Sequence, residues 1–353
     1  MPAQGASESD AGRRDAAAAA LSRIAFLLER TRASTHRVQA FRRAAEVVLA
    51  QDPGDLASLH AAGKLTKLSG VGAVTAEAIA AALDGGKPAY LAQLEAEDPT
   101  LPGADSALMR AVRGDLHTHT NASDGGSPLA EMVAAAAGLG HEYLAVTDHS
   151  PRLRVANGLS AERLRDQLDQ ITGLNQSAPT IRVLTGIEVD INANGTLDQT
   201  DDLLGELDVV VASVHSRLRD DSTAMTTRMV RAVVNKHTDI LGHCTGRLVE
   251  GDRGIRPESS FDHDVVFAAC AQFDVAVEIN ARPERLDPPR RLLRAAVAAG
   301  CLFSLDTDAH APGQLSWQGY GAARAEECGV PLERVVNTWP VDKLLEWTGR
   351  RSG

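Results

Sequence analysis

The sequence has little of what membrane, secreted and disulfide-bonded proteins need. No apolar run approaches the ~20 residues that span a bilayer, and aromatic residues make up only 3% of the chain. The first twenty residues lack the charged segment and apolar core of a secretory signal. Four cysteines show no paired spacing: Cys244, Cys270, Cys301 and Cys328. We therefore expect a cytoplasmic protein without membrane contact, whose cysteines are small buried apolar side chains.

Length and charge indicate two parts of different character. The 353 residues suffice for two domains. The net charge of −11 by itself argues against a nucleic-acid partner. Residues 16–98, however, hold nine basic and nine acidic residues, so the acidic excess lies almost entirely beyond them. Because carboxylates that bind divalent cations reduce this excess, net charge does not decide the partner.

Residues 16–98 show helical periodicity. Apolar residues recur at helical spacing through 16–31 and 35–50, and a Pro-Gly pair at 53–54 ends the second segment. The stretch LSGVGAVTAEAIAAAL then places Gly70 and Gly72 in a tight turn between apolar segments. A helix-hairpin-helix turn of this kind exposes backbone N–H groups that suit a phosphate. An ordinary turn between two helices fits the same residues.

An arginine-rich stretch precedes this turn and favours DNA binding, although a solvated helix face accounts for the same charges. The candidate DNA contacts are Gly70, Gly72, Arg42 and Arg43. Residues 1–15 are predicted to be a polar, disordered tail. Residues 99–112, which hold two prolines and a glycine, are predicted to be a linker.

From residue 113 onward, short apolar runs alternate with helix-like segments. Seven runs have the character of parallel strands, at 113–119, 143–149, 182–191, 208–215, 239–245, 275–280 and 302–310. The predicted architecture is α/β, with a closed or nearly closed barrel in residues 113–348 after a small all-α domain at 16–98. Barrels of this kind carry their chemistry at the carboxyl ends of the strands.

Histidines and carboxylates occupy those carboxyl ends. One such histidine would be read as an ordinary core or loop residue, but six of the 11 histidines fall there. The nine candidate metal ligands are His117, His119, Asp124, His149, Glu188, His215, His243, Asp308 and His310. Unpaired buried carboxylates are costly, and bound cations compensate for them. Nine ligands with one bridging carboxylate suit two or three divalent ions, and the mixture of imidazole and carboxylate favours zinc, manganese or iron over calcium.

Metal ions spaced for a bridging hydroxide suit phosphoester hydrolysis. They lower the pKa of bound water to about 7, polarise the phosphoryl oxygens and stabilise the leaving oxygen. Arginines that follow the ligands offer contacts to a phosphate, and the candidates are Arg247, Arg154 and Arg217. For each of them, a simple surface arginine is the competing interpretation.

Seven motifs resemble those of the PHP (polymerase and histidinol phosphatase) superfamily over residues 113–345: HTHTNASDG, AVTDHS, TGIEVD, SVHS, ILGHCTGRL, VEINARPERLD and SLDTDAH. The similarity is greatest to the C-terminal PHP domain of bacterial family X DNA polymerases. Residues 16–98 resemble the N-terminal helix-hairpin-helix domain of the same polymerases.

This resemblance implies a distorted seven-stranded (β/α)7 barrel with a trinuclear site. One ion would take His117, His119, Glu188 and Asp308. A second would share Glu188 and take His215 and His243, and a third would take Asp124, His149 and His310. By the same resemblance, Glu188, His215, His243 and Asp308 are the candidate catalytic residues, and Asn280 joins the arginines as a candidate substrate contact.

Two departures from these polymerases limit the expected activity. No polymerase palm, fingers or thumb lies between residues 98 and 113, so nucleotidyl transfer is not expected. Val74 and Ala78 stand where lyase-active relatives have lysines, so Schiff-base chemistry is not expected either. The leading hypothesis is a metal-dependent phosphoesterase for nucleic acid, as a 3′–5′ exonuclease or in 3′-end or abasic-site processing during DNA repair, with DNA held by the N-terminal domain. The alternatives are a small-molecule phosphomonoesterase of the histidinol-phosphatase type and a non-catalytic DNA-binding scaffold.

Overall fold

Helices alone build the N-terminal part of the chain in the computed structural model, which describes residues 3–177, 180–251 and 254–349. They are α1 (Ala3–Arg30), α2 (Thr35–Leu49), α3 (Pro53–Ala61), α4 (Ala73–Leu83) and α5 (Ala89–Glu97), with a 3₁₀ turn at Leu65–Lys67. Their apolar faces share one core, in which Leu21, Leu56 and Ile79 are fully buried. The chain divides after Thr100 into this unit and a second one.

Two segments outside the predicted domains contain helix. Residues 3–15 of the predicted tail are the first half of α1, because this proline-free segment runs into five consecutive alanines that favour helix. The first two residues of that tail lie outside the described residues. The predicted linker contains the short helix α6 (Ala107–Ala111), which begins where the Ser106 hydroxyl accepts the Met109 N–H at 3.0 Å.

The glycine turn between α3 and α4 has the predicted form. Gly70 has a φ of 91°, a value that favours glycine. A Cβ added there would lie 3.0 Å from the Arg43 Cδ. Gly72 caps α4, and its N–H donates to the Thr75 hydroxyl at 2.9 Å. The turn therefore leads directly into the α4 N-terminus, as the helix-hairpin-helix pattern predicts.

Seven parallel strands lie side by side in chain order in the second unit. They are β1 (Gly114–Asp115), β2 (Tyr143–Val146), β3 (Arg182–Asp190), β4 (Val209–Ser213), β5 (Ile240–Leu241), β6 (Ala276–Asn280) and β7 (Leu302–Asp306). Beyond β1 and β7, Thr118 forms a parallel bridge with Ala309, and the His119 N–H donates to the Ala309 carbonyl at 2.8 Å. The sheet is a nearly closed, irregular (β/α)7 barrel, which confirms the predicted fold.

Helices surround this barrel, so the strands are buried on both faces. They are α7 (Leu129–Gly138), α8 (Ala161–Ser177), α9 (Asp201–Leu204), α10 (Ser222–Val234), α11 (His263–Gln272), α12 (Arg290–Ala299), α13 (Gln318–Glu327) and α14 (Val341–Gly349). Every residue of β2, β4 and β6 is buried, as in other parallel sheets. All four cysteines are buried thiols, as predicted. Within the described ranges, no helix combines the length and apolarity that crossing a membrane requires.

Candidate metal centre

The nine predicted ligands come together at the carboxyl ends of the barrel strands. His117 and His119 follow β1, Asp124 lies in the next turn, His149 follows β2, Glu188 lies in β3, His215 follows β4, His243 follows β5, and Asp308 and His310 follow β7. Six of the nine are more than nine-tenths buried. Only Asp124, His215 and His310 are more accessible. The barrel thus gathers nine polar side chains at one end.

Glu188 lies in the middle of this cluster. Five imidazole nitrogens surround its two carboxylate oxygens: His149 Nδ1 at 2.8 Å, His243 Nε2 at 2.9 Å, His215 Nε2 at 3.1 Å, His117 Nε2 at 3.4 Å and His119 Nε2 at 3.6 Å. Burial raises the pKa of Glu188, but the charges of His215, His117 and His149 outweigh burial and hold that pKa well below its ordinary value. Glu188 is therefore an ionised carboxylate within reach of several ligands.

Asp124 lies close to a second group of imidazoles. Its Oδ1 lies 3.4 Å from His149 Nε2 and 3.4 Å from His310 Nε2. His119 borders this group, since its ring centroid lies 4.2 Å from that of His310. Burial, together with His310 and His149, lowers the pKa of His119 to about 3. His119 is therefore neutral, which is the form that binds metal ions.

Three sets of side chains are compact enough to hold an ion, with the ligand atoms of each set within 4.8 Å of one another. The sets are His119, Asp124, His149 and His310; His117, His119 and Asp308; and His149, Glu188 and His215. Each overlaps one of the predicted sets, but His119 and His149 belong to two sets apiece. His243 is in none, although it contacts Glu188. The division of the ligands among ions stays a prediction.

Many of the cluster's imidazole nitrogens lie near carboxylates but form no hydrogen bond. Among the described residues of the ligand cluster, six buried nitrogens have no hydrogen-bond partner: His117 Nε2, both nitrogens of His119, His149 Nδ1, His215 Nε2 and His243 Nδ1. Buried polar atoms are normally satisfied. A divalent cation satisfies imidazole lone pairs and neighbouring carboxylates together. The residues present therefore fit divalent metal ions.

Two buried carboxylates contact the Nδ1 atoms of two predicted ligand histidines. Glu278 Oε1 lies 2.6 Å from His117 Nδ1, and Asp190 Oδ1 lies 2.5 Å from His215 Nδ1. Partners of this kind fix the ring and the tautomer of metal-binding histidines. Neither residue was predicted from the sequence. The available signal was strand alternation, because Asp190 lies two residues after Glu188 in β3 and therefore on the same face.

Two arginines after β6 reach the ligand Asp308. Arg285 Nε donates to Asp308 Oδ2 at 2.9 Å, and Arg282 Nη1 donates to the Asp308 carbonyl at 2.7 Å. Burial raises the pKa of Asp308, but the Arg285 charge and the nearby His119 imidazole outweigh burial and hold that pKa well below its ordinary value. Asp308 has a φ of 53°, so these contacts also hold a strained backbone. Neither arginine was among the predicted contacts.

Arg247, predicted to contact phosphate, has internal partners instead. Its Nε donates to the Arg285 carbonyl at 3.0 Å, and its guanidinium also donates to the Leu286 carbonyl and lies 3.5 Å from Glu258. Leu286 has a φ of 46°, so the turn leaves carbonyls that need a donor from outside regular structure. Arg247 therefore braces the turn that carries Arg285.

The other predicted substrate contacts differ in their exposure to solvent. Asn280 is buried, and its Nδ2 lies 3.3 Å from Asp308 Oδ2, so it borders the metal cluster. Arg154 is exposed in a 3₁₀ turn after His149. Arg217 is exposed and pairs with Asp220 at 3.0 Å. Both arginines lie on loops that leave the ligand cluster.

Arg42 differs from its predicted role in binding DNA. Its guanidinium donates to the two carboxylate oxygens of Glu29 at 2.9 and 2.8 Å, and Glu29 is only 5% exposed. A buried carboxylate requires such a partner, so Arg42 forms a structural ion pair. Arg43 is exposed and lies against Gly70, beside the turn that ends at Gly72.

Comparisons with known proteins find relatives of both parts of the chain. Residues 115–280 match the model of the PHP domain, and residues 13–88 match the model of a helix-hairpin-helix domain. The DNA polymerase/3′-5′ exonuclease PolX of Bacillus subtilis is 39% identical over 226 residues, which cover 64% of this chain and 39% of that protein. A probable phosphatase of Shewanella frigidimarina is 29% identical over 246 residues, which cover 67% of this chain and 93% of that protein.

Among solved structures, histidinol phosphate phosphatase from Lactococcus lactis, complexed with zinc, L-histidinol and phosphate, aligns with a TM-score of 0.45 and 18% identity. The alignment covers 62% of this chain and 94% of that one. The chain spans 39% of the length of the Bacillus relative, and the shared part includes the PHP region. This chain therefore contains a region that matches the PHP domain, preceded by a region that matches a helix-hairpin-helix domain.

Proposed function

We propose that this protein hydrolyses phosphoester bonds of nucleic acid, as a 3′–5′ exonuclease or as an enzyme that processes 3′ ends or abasic sites in DNA repair. One observation carries the proposal. Eight of the nine predicted metal ligands form compact sets that could hold an ion, and the same chain has a helix-hairpin-helix turn with an exposed arginine.

We assign two or three ions of zinc, manganese or iron to the ligand cluster, because its imidazoles and carboxylates suit these metals. Divalent ions in such a site act as Lewis acids toward a phosphoryl group and make water nucleophilic at neutral pH. Glu188, His215, His243 and Asp308 are the ligands that we assign to the reaction. Glu188 supports this assignment because it contacts imidazoles from several strands.

One buried and two exposed arginines favour a substrate with several phosphates. Arg285 is 6% exposed, and within the described residues its Nη1 has no hydrogen-bond partner. This guanidinium beside Asp308 takes the role of phosphate contact that was predicted for Arg247. Arg154 and Arg217 are exposed on the loops after β2 and β4, where they can contact phosphates farther along a strand.

Features of the N-terminal unit favour the backbone of DNA as the proposed ligand. The turn from Gly70 to Gly72 leads into α4, and backbone N–H groups at a helix N-terminus favour an anion. Lys67 is exposed just before this turn in the sequence. Arg43 is also exposed, and its side chain lies against Gly70. The name of the Bacillus relative includes a 3′-5′ exonuclease, and the proposal extends that activity to the residues shared with this chain.

A small-molecule phosphomonoesterase is the second candidate. The net charge of −11 favours it, as do the internal partners of Arg42 and Arg247, because nucleic-acid binding depends on available cations. Relatives named as probable phosphatases support the same alternative.

A substrate panel tests the proposal. Full-length protein loaded with Mn²⁺ is incubated with 5′-labelled single-stranded DNA, nicked DNA, DNA with an abasic site, histidinol phosphate and p-nitrophenyl phosphate. We expect stepwise shortening of the DNA from its 3′ end, or removal of a 3′ block. A phosphorothioate at the last linkage should stop the stepwise shortening but not an internal cut.

Two controls make the result specific. Chelation of the metal and Glu188→Ala should each abolish hydrolysis, whereas Glu206→Ala, which alters an exposed ion pair with Arg165, should not. Efficient turnover of the monoesters without any DNA cleavage would replace the proposal with the second candidate.

A further inference from the structure

Glu278 is a fully buried carboxylate in an otherwise apolar part of β6. Its exposed fraction is 0%, and its neighbours Val277 and Ile279 are also buried. Burial of a carboxylate is costly unless hydrogen bonds compensate for it. The contacts of Glu278 therefore have to account for its position.

Both oxygens of Glu278 bond to residues that carry the metal cluster. Oε1 lies 2.6 Å from His117 Nδ1, and Oε2 accepts the backbone N–H of His243 at 2.5 Å. Asn280 Nδ2 adds a contact of 3.3 Å to Oε2. One side chain thus connects a ligand that follows β1 with a ligand that follows β5.

The contact with His117 determines which of its ring nitrogens carries the proton. An ionised carboxylate can only accept hydrogen bonds, so a neutral His117 must donate through Nδ1. Its Nε2 then keeps a lone pair. That Nε2 lies 3.4 Å from Glu188 Oε2, and no hydrogen-bond partner for it exists in the described part of the chain. The lone pair is therefore available to an ion next to Glu188.

We propose that Glu278 is a positioning residue of the metal centre, which holds His117 in the Nδ1–H tautomer and anchors the backbone of His243. Asp190 supports His215 in a similar way but contacts that one ligand. A single change at Glu278 therefore disturbs two ligands. This inference rests on the metal site of the proposed function and is independent of whether the substrate is nucleic acid.

Glu278→Gln tests the proposal because a carboxamide accepts on one side and donates on the other. The His243 N–H can only donate, so the carboxamide oxygen stays with it and the amide group turns to His117. His117 must then accept at Nδ1 and carry its proton on Nε2, and a protonated nitrogen cannot bind a metal. The variant preserves the shape of the side chain while it reverses the tautomer.

Two measurements report the result. Long-range ¹H–¹⁵N spectra of the metal-free full chain, with labelled histidine and with the pH raised until the ring is neutral, should show His117 protonated on Nδ1 in the wild type and on Nε2 in the variant. Calorimetric titration with Mn²⁺ should show affinity lower by about 10–100-fold in the variant. A wild-type His117 protonated on Nε2, or a variant with unchanged tautomer and Mn²⁺ affinity, would overturn the proposal.

Matched variants separate this role from general effects. Asp190→Asn should weaken Mn²⁺ binding but leave the His117 tautomer unchanged. Asp84→Asn, which alters an accessible carboxylate–imidazole pair with His60 in the first unit, should leave both unchanged. If Glu278→Gln does not fold, the wild-type spectrum alone decides the tautomer. Because that spectrum needs neither metal nor substrate, a protein without nuclease activity would overturn the proposed function and not this inference.

Discussion

Arg285 Nε donates a hydrogen bond of 2.9 Å to Asp308 Oδ2, and both side chains are more than nine-tenths buried. The arginine thus occupies one oxygen of a predicted metal ligand. The other oxygen, Oδ1, lies 3.4 Å from His119 Nε2 and is directed to the neighbouring ligand. The ion pair therefore compensates the charge of Asp308 and also fixes which of its oxygens lies near His119.

Arg285→Met should destabilise the metal-free protein strongly. Removal of one partner of a buried ion pair costs about 3–5 kcal/mol because the other charge is left uncompensated. Mn²⁺ should recover part of this loss, since an ion also compensates Asp308. Urea unfolding with and without Mn²⁺ measures both quantities.

The control for this prediction is Arg290→Met, which breaks an exposed ion pair with Glu327. Exposed pairs contribute about 0–1 kcal/mol. Equal losses of stability in the two variants would contradict a special role for the buried pair.

Glu188→Ala should lower the bound metal by two ions at once. The reason is that Glu188 contacts His149 and His215 on one side of the cluster and His243 on another. Elemental analysis of protein that has been loaded with Mn²⁺ and desalted gives the stoichiometry. Glu206→Ala serves as the control, and full occupancy in Glu188→Ala would show that this carboxylate bridges no ions.

His141 should make stability depend on pH between its folded and unfolded pKa values. Burial lowers the pKa of His141 to about 4, although a hydrogen bond with Gln318 acts in the opposite direction. An unfolded histidine has a pKa of about 6.5. Between these values the unfolded chain binds the proton and the folded chain does not, so the free energy of unfolding falls as the pH falls.

The test compares urea unfolding of wild-type protein and His141→Gln from pH 7 to pH 4. The wild type should lose up to about 3 kcal/mol more than the variant over this range, from a pKa difference near 2.5 units. Parallel stability curves would show that His141 titrates normally in the folded protein.

Arg43 and Arg42 should respond differently to replacement by alanine. Arg43→Ala should weaken binding of single-stranded DNA and reduce the slope of log K against log salt by about 0.7 for one lost phosphate contact. Arg42→Ala should instead lower the free energy of unfolding, because the buried Glu29 carboxylate loses the two hydrogen bonds that this guanidinium donates. Fluorescence anisotropy at several salt concentrations gives the slopes. An unchanged slope for Arg43→Ala would remove this arginine from the DNA interface.

The barrel was predictable because its strands have a strong local signal. Six of the seven apolar runs lead into a predicted histidine or carboxylate ligand, as at Val146 to His149 and at Leu305 to Asp308, and parallel strands bring such ends together. The strands themselves are shorter than the apolar runs. β1 and β5 have two residues each, because the ligands that follow them leave the sheet.

The partners of individual cations could not be predicted in the same way. Arg42 and Arg43 are neighbours in the sequence, yet one pairs with Glu29 and the other is exposed. Their difference depends on the packing of α2 against α1, which periodicity alone does not specify. The internal partners of Arg247 were likewise not predictable, because the carbonyls to which it donates belong to a turn about forty residues later in the chain.

Barrel closure involves the same segments as the metal site. In the described residues, the first and last strands pair through the bridge between Thr118 and Ala309, and each of these two residues is flanked by ligands. An ion held by His119 and Asp308 would therefore cross-link the two ends of the sheet. Transient opening of the barrel should then become rarer as ions bind, and the amide of His119, bonded to the Ala309 carbonyl, should exchange its hydrogen with solvent more slowly as the occupancy of the site rises.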